Sequence, residues 1–232
     1  APDMTVRADH IGKEGHFTQL VRQEEPHQTM WCVREDGVLI SFAYDTTQEV
    51  RAWARHSIGG TDAKVESITV VPAPDLRSDR LWMIVSRTIN GTTRRYVEYM
   101  NIEYVVGDNL ADVKYADGLL SYAGAATTTL YGYDHLEGET VSILGDGVAQ
   151  TPVVVSAGKI TIDEATRVQV GLSYSSLYRS NNIDIPVEDG TSQAKTKRIT
   201  DVVFRVVDTI GGVAGPDDDC QDTLEDLDTT TL

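Results

Sequence analysis

The stretch that most constrains the fold is Leu81–Met100, LWMIVSRTINGTTRRYVEYM. Asn90-Gly91 lies between two runs rich in β-branched and aromatic residues, which is the strongest local pattern for a hairpin with a two-residue turn. Counting outward from this turn places Trp82 opposite Tyr99. The sequence therefore predicts a long antiparallel strand pair around which the rest of the chain is arranged.

The same register sorts large apolar side chains onto both faces of this strand pair, because residues two apart along a strand share a face. A pair that is apolar on both faces is expected to be buried on both, as an interior pair of a larger assembly. One of the two faces is then a candidate contact with another domain or subunit. The first face carries Trp82, Ile84, Val97 and Tyr99, and the second carries Leu81, Val85, Tyr96 and Met100.

Two arginines, Arg87 and Arg94, oppose each other across the predicted hairpin. Like charges at directly opposed positions of two strands repel each other. We therefore expect an acidic side chain to lie between them, with a neighbouring subunit as one source of that side chain.

The length and the net charge of the chain argue against several classes of protein. The 232 residues suffice for one large all-β domain or two small ones. A net charge of −16 argues against a general nucleic-acid binder and against an anionic membrane surface as partner. The charge is compatible with DNA passing through a duct whose like-charged wall prevents sticking. No apolar run is long enough to span a bilayer, so no membrane insertion is expected.

The first 110 residues are predicted to form one propeller-blade-like antiparallel sheet. Five strand-like runs follow one another in up-and-down order between residues 31 and 100, which is the order of a propeller blade. Residues 1–30 fit one short helix or two short strands, and Thr46–His56 fits a helical turn or an extended edge. A second two-residue turn at Asp36-Gly37 pairs Val33 with Ile40 and Trp31 with Phe42.

The remainder of the chain divides into three parts. Residues 111–178 hold short runs separated by glycine turns, which predicts a small β-barrel of about five strands. Residues 179–215 contain a clear strand at 199–208, expected to return to the first sheet. Residues 216–232 carry seven acids and no base, a composition typical of a disordered tail.

No motif predicts catalysis, a cofactor or a metal. The five histidines lack ligand spacing and are interpreted as surface or loop residues. Gly145-Asp146-Gly147 could hold calcium, but a plain hairpin turn is the better interpretation. Asp217-Asp218-Asp219 could collect a divalent cation, and a solvated tail is favoured over that reading. Cys32 is interpreted as a small buried hydrophobe rather than a nucleophile.

Two stretches together resemble a known family. WCVREDGVLISFAY, VRAWARHSIGG, ESITVVP and LWMIVSRTINGTTRRYVEYM are similar to the C-terminal half of tail nozzle proteins of short-tailed phages, also called tail tubular protein B. LEGETVSILGDGV, ITIDEATRVQVGLSYSS and KTKRITDVVFRVVDTIG also resemble a small β-barrel module named after a half-domain of ubiquitin-activating enzymes, without its chemistry. The motif positions are Trp31, Asp36, Gly37, Val50, Trp53, His56, Asn90, Gly91, Gly138, Gly147 and Gly171.

The resemblance covers roughly residues 1–215 and implies a homo-oligomeric ring around a channel. It implies a place in the virion tail after assembly in the host cytoplasm, with adaptor, portal and fibre proteins as partners. DNA would pass through without specific binding, and neither catalysis nor a cofactor is implied. The chain lacks most of the N-terminal propeller of the family, and its acidic end differs from the family C-terminus.

Two other functions are considered as alternatives to a structural component of a phage tail. The first is an adhesin-like β-domain that binds a glycan or a surface protein. The second is a tail-associated hydrolase, which would need a cleft with converging carboxylates. The structural and interface candidates that the sequence offers are Trp31, Asp36, Gly37, Trp53, His56, Trp82, Arg87, Asn90, Gly91, Arg94, Tyr96, Tyr99, Gly138 and Gly147.

Overall fold

A computed structural model describes residues 4–5, 8–45, 47–74, 77–101, 103–180, 186–187, 190–191, 196, 198, 202–205, 212–216 and 221–223. The chain divides into two compact units, Ala1–Leu177 and Tyr178–Leu232. Antiparallel strands make up nearly all of the regular structure, which confirms the predicted all-β class.

The first seven strands form two sheets. Sheet 1 has the order β1-β2-β3-β4, and sheet 2 has the order β5-β6-β7. The described part of the first 30 residues contains a short helix, a strand and the start of the next strand. Within Thr46–His56, the extended-edge alternative is confirmed for Val50–His56, which form β4, whereas residues 47–49 form a turn. The elements are α1 Asp9–Gly12, β1 Phe17–Gln23, β2 Thr29–Arg34, β3 Leu39–Asp45, β4 Val50–His56, β5 Thr61–Pro72, β6 Asp79–Ile89 and β7 Thr92–Tyr99.

Sheet 3 follows, with the order β10-β9-β11-β8. It has four strands rather than about five, because the runs predicted at 159–162 and 168–174 belong to one continuous strand, β11. This strand absorbs the change of direction through register shifts against β8 instead of breaking. Its strands are β8 Asp117–Tyr131, β9 Thr140–Gly145, β10 Val148–Val154 and β11 Lys159–Leu172, and 3₁₀ turns lie at Leu110–Asp112 and Asp134–Leu136.

The predicted register of the β6–β7 hairpin is confirmed. Ile89 pairs with Thr92 beside the turn, and Trp82 pairs with Tyr99 at the far end. Asn90 and Gly91 have φ angles of 47° and 70°, the left-handed conformation that a type I′ turn requires at both central positions.

The predicted register of the β2–β3 hairpin is wrong by one residue. Val33 pairs with Leu39 and Trp31 pairs with Ser41. The loop is longer than two residues: Gly37 adopts a φ of 91°, and its N–H donates to the carbonyl of Arg34 over 2.9 Å. This geometry is a type I turn followed by a left-handed residue. The one-residue difference moves Trp31 and Phe42 to opposite faces of sheet 1.

Apolar side chains from sheets 1 and 2 pack together into one core. It includes Trp31, Val33 and Leu39 from sheet 1 and Leu81 and Val85 from sheet 2. Helix α1 covers the other face of sheet 1, where Ile11, Ile40 and Cys32 form a second cluster. Cys32 is fully buried, as predicted for a small hydrophobe. Sheet 3 has its own core, and Ile89 at the end of β6 packs into it.

Among the described residues the hairpin is buried on one face only, which leaves the other face as the candidate contact with another domain or subunit. Leu81 is 1% exposed, whereas Val97 on the opposite face is 71% exposed. The reason is topological: sheet 1 covers one side of sheet 2, and no described element of the first unit covers the other side. Strand β6 is an interior strand of its sheet, and β7 is an edge.

The described residues of the second unit form two short strand pairs, β12 Pro186–Val187 with β13 Gly190–Thr191, and β14 Val213–Ala214 with β15 Asp222–Thr223. Within the predicted strand at 199–208, the described residues Val202–Arg205 are not in a strand. The rest of that segment, and most of the predicted acidic tail, lies outside the described residues. Across the described part of the chain, no helix has the length and apolar character needed to cross a membrane.

Candidate functional site

The outer face of sheet 2 is an apolar and aromatic surface, defined here as Val71, Arg80, Trp82, Ile84, Val97 and Tyr99. Strand alternation brings these residues together, because the pairs Val71–Arg80, Trp82–Tyr99 and Ile84–Val97 all point away from the core. The exposed fraction is 43% for Val71, 39% for Ile84, 71% for Val97 and 42% for Tyr99. The Trp82 and Tyr99 rings lie 5.1 Å apart between centroids.

Arg80 is the charged member of the outer face. Its guanidinium carbon lies 4.9 Å from the centroid of the Tyr99 ring, a cation–π contact that holds the side chain over the sheet. Its Nε is enclosed and has no hydrogen-bond acceptor among the described residues. The outer face therefore carries a positioned cation that no described acidic side chain neutralises.

The opposite end of this sheet carries a charge pair that is already complete. Arg95 Nε donates to Glu66 Oε2 over 2.7 Å. This hydrogen bond lowers the pKa of Glu66. The pair leaves Arg80 as the cation at this face that lacks a partner within the described chain.

A buried polar junction lies beneath the hairpin, formed by Arg87, Glu98, Gly59 and Asp117. Arg87 is 1% exposed. Its two terminal nitrogens donate to the two carboxylate oxygens of Glu98, and its Nε donates to the carbonyl of Gly59 over 2.6 Å. This bidentate arrangement is the strongest form of a guanidinium–carboxylate pair.

The predicted acidic partner of Arg87 therefore exists, but it comes from the same hairpin. Glu98 is on β7, so the neighbouring subunit that was one expected source is not required. Arg94, which pairs directly with Arg87 in the register, is exposed and has no ion pair among the described side chains. The like-charge contact is avoided because Arg87 turns along the sheet towards Glu98.

Gly59 links the junction to sheet 3. Its N–H donates to the carboxylate of Asp117 at the start of β8 over 2.6 Å, while its carbonyl accepts from Arg87. Burial raises the pKa of Asp117, opposed by this hydrogen bond and by the nearby Arg87 charge. The next residue must be small, because a Cβ on Gly60 would lie 2.7 Å from Cδ of Arg87.

A second contact fixes the turn end of the hairpin to sheet 3. The Tyr96 hydroxyl donates to the carbonyl of His135 over 2.9 Å. Nε2 of His135 lies 2.9 Å from the carbonyl oxygen of Gly118. Asn90 lies beside Gly138: its Cβ would be 3.9 Å from a Cβ atom placed on that glycine. Four sequence candidates, Asn90, Gly138, Tyr96 and Arg87, thus meet at one boundary.

The remaining sequence candidates lie elsewhere. Trp31 contacts His56, with ring centroids 5.2 Å apart, and Trp53 stacks on Phe42 on the other face of sheet 1 at 4.3 Å. Asp36 accepts two hydrogen bonds from the buried Arg34, which lower its pKa. Gly147 occupies the β9–β10 turn and faces the 3₁₀ turn at Leu110–Asp112. These residues shape the sheets rather than one common site.

Ser41 and His56 form a hydrogen-bonded pair of the type that serine hydrolases use. Nε2 of His56 lies 2.7 Å from Oγ of Ser41, and burial lowers the pKa of His56. Among the described residues no carboxylate is bonded to His56, so the third member of a hydrolytic triad is missing. The described residues likewise contain no cluster of three or more His, Cys, Asp or Glu side chains able to hold a metal ion.

The interpretation of Gly145-Asp146-Gly147 as a hairpin turn is confirmed. Gly145 pairs with Val148, and Asp146 and Gly147 have positive φ angles. The Asp146 carboxylate accepts backbone N–H groups from Thr166 and Arg167, which lower its pKa. Its oxygens therefore serve to join the turn to β11.

Three important residues were not singled out from the sequence. Glu98 lies with Tyr96 on the hairpin face that packs against the core, and Arg80 lies with Trp82 on the outer face. The hairpin register alone could therefore have assigned Glu98 and Arg80 to their faces. Asp117 carried no such signal, because its contact with Gly59 joins positions that are distant in the chain.

Comparison with known proteins adds no assignment. No protein-family model matches the chain, and a search of the curated proteins finds no match. The interpretation of the site therefore depends on its geometry and on the sequence pattern.

We expect Asp117→Asn to change how stability depends on pH. The raised pKa of folded Asp117 means that the folded chain keeps this proton at a pH where the unfolded chain has lost it. Stability from this group is therefore fully present below the ordinary aspartate pKa and is lost as pH rises through the raised value. Urea unfolding of both proteins at several pH values should show this slope in the wild type and a smaller slope in the variant. Equal slopes would contradict the raised pKa.

Proposed function

We propose that this chain is a structural component of a phage or prophage tail, nozzle-like or tube-like, that acts as a homo-oligomer and lines or gates the DNA passage. The observation that carries the proposal is the outer face of sheet 2. It is a contiguous set of exposed apolar side chains on a sheet whose other side packs Leu81, Met83 and Val85 into the core.

An apolar face of this kind marks an interaction surface, because soluble chains seldom leave such patches uncovered. Val97, Ile84 and Tyr99 would be removed from water when a neighbouring copy covers the face. Burying apolar surface is favourable by roughly 25 cal/mol per Å². The net charge of −16 opposes association of identical chains, so a specific apolar contact is needed to offset it.

The resemblance to tail nozzle proteins supports a location of this oligomer in the phage tail. The up-and-down order of sheet 1 is compatible with a propeller blade, and we propose that sheet 3 is the counterpart of the small β-barrel module. A ring of acidic subunits would present like charge to DNA and let it pass without specific binding. The expected partners are the adaptor, portal and fibre proteins of the tail, with a location in the virion after assembly in the host cytoplasm. No catalytic role is proposed.

The proposal is tested by measuring the mass of the assembly. Size-exclusion chromatography with light scattering, followed by negative-stain microscopy, should show a ring for the wild type. Val97→Glu should weaken self-association at least about a hundredfold, because an unpaired carboxylate buried at an interface costs about 3 kcal/mol or more.

The matched control is Val148→Glu on β10, since Val148 is 66% exposed and lies outside sheet 2. We expect this variant to assemble like the wild type. A wild-type chain that stays monomeric at all concentrations would contradict the tail component, and a monomer that binds glycans would favour the adhesin-like module.

A further inference from the structure

We infer that Arg80 is the recognition residue of the outer face, and that it binds a carboxylate from the acidic surface of a second copy of this chain. This inference rests on the proposed function, because it presupposes that copies of the chain associate. It names the chemistry by which one subunit recognises the next. It adds an electrostatic contact, with a defined residue and a defined partner class, to the apolar contact proposed above.

Arg80 is held in place but is not neutralised. The cation–π contact with Tyr99 fixes the guanidinium over the outer face, at 4.9 Å from the ring centroid. The described residues offer it neither a hydrogen-bond acceptor at Nε nor an ion pair. An arginine that serves only its own fold is normally paired, as Arg87 is with Glu98 and Arg95 is with Glu66. Arg80 differs from both by facing outward with its charge free.

The terminal nitrogens of Arg80 are the groups that a partner can reach, because the enclosed atom is Nε. The planar guanidinium presents these N–H donors in a fixed geometry that matches a carboxylate. Apolar side chains adjoin this position, namely Trp82 and Tyr99. A contact that covers them also excludes water from the ion pair and so strengthens it.

Charge complementarity at Arg80 favours a second copy as the occupant, and this local attraction acts against the overall repulsion between two chains of net charge −16. The chain carries 36 acidic residues against 20 Lys and Arg residues, so another copy offers carboxylates in excess of its own cations. The outer face is not complementary to a second outer face. Two such faces in contact would bury Arg80 of both copies in an apolar interface, and the described acid on this face, Glu66, is already paired with Arg95. Recognition is therefore heterologous, with the outer face of one copy against an acidic region of the next. Heterologous contacts produce closed rings or open chains.

The experiment compares the self-association of three single variants by sedimentation velocity at low and high salt. Arg80→Gln removes the charge and should weaken association about tenfold or more, the range of a charge-assisted hydrogen bond. Arg80→Lys keeps the charge but cannot bind a carboxylate in bidentate fashion, and should lie between Arg80→Gln and the wild type. Arg94→Gln is the matched control, because Arg94 is exposed on β7 and lies on the inner side of the register.

We expect Arg94→Gln to associate like the wild type, and added salt to weaken the wild type more than Arg80→Gln. Thermal unfolding of each variant at low concentration checks that the fold is intact. An oligomer that Arg80→Gln leaves unchanged would overturn the recognition role while the proposed function stands. Equal weakening by Arg80→Gln and Arg94→Gln would also overturn it, because net charge alone would then explain the effect. A wild-type monomer would overturn both proposals.

Discussion

Replacing Glu98 by glutamine is expected to lower the free energy of unfolding by about 3 kcal/mol, because it leaves Arg87 charged and without its ionic partner in the interior. Arg87 is 1% exposed and donates both terminal nitrogens to Glu98. Glutamine keeps one acceptor oxygen, and the nearby Asp117 retains some attraction, so the loss falls at the lower end of the range for broken buried pairs. Urea unfolding monitored by circular dichroism measures it.

Two comparisons sharpen this result. Glu66→Gln breaks the exposed pair with Arg95 and should change stability little, because water screens that pair. The double variant Arg87→Met with Glu98→Leu replaces both charges by apolar groups and should be more stable than Glu98→Gln alone. If Glu98→Gln and Glu66→Gln cost the same, the junction is not the desolvated contact that the geometry indicates.

Replacing Leu81 by alanine is expected to lower the free energy of unfolding by about 2–5 kcal/mol, the range for a large side chain lost from a packed core. Leu81 is 1% exposed and packs between sheets 1 and 2 with Val33, Leu39 and Val65. The loss combines the missing apolar contact with the cavity that the surrounding side chains cannot fill.

The matched control lies on the same hairpin. Val97 is 71% exposed on the outer face, so Val97→Ala should change the stability of the dissociated chain by no more than about 0.5 kcal/mol. The two variants together measure the difference between the two faces of one strand pair. A large loss from Val97→Ala in the dissociated chain would mean that the outer face is covered within the chain.

The β6–β7 hairpin was predictable because its information is local. Asn90 and Gly91 both accept the left-handed conformation, so a type I′ turn forms and every pair outward follows from it. The all-β class followed for the same reason, from strand-length runs punctuated by turn residues.

The Asp36-Gly37 turn shows where local information ends. An Asp-Gly pair fits both a two-residue turn and a longer loop with a left-handed glycine. The choice is made by contacts from elsewhere: the Asp36 carboxylate is held by the buried Arg34, and Gly37 accepts a hydrogen bond from the N–H of Val65 on β5 over 2.9 Å. These contacts select the longer loop and so decide which face Trp31 occupies.

The sequence by itself determined the strand class, the hairpin register and the two residue sets that line its faces. Only the tertiary structure decided which set is buried, because alternation sorts side chains into two faces without saying which one meets another sheet. It also decided that Arg87 finds its acid within the hairpin and that Arg80 finds none among the described residues. The physical reason is that pairing of charges depends on which surfaces are brought together and desolvated, and that is settled by the packing of the sheets.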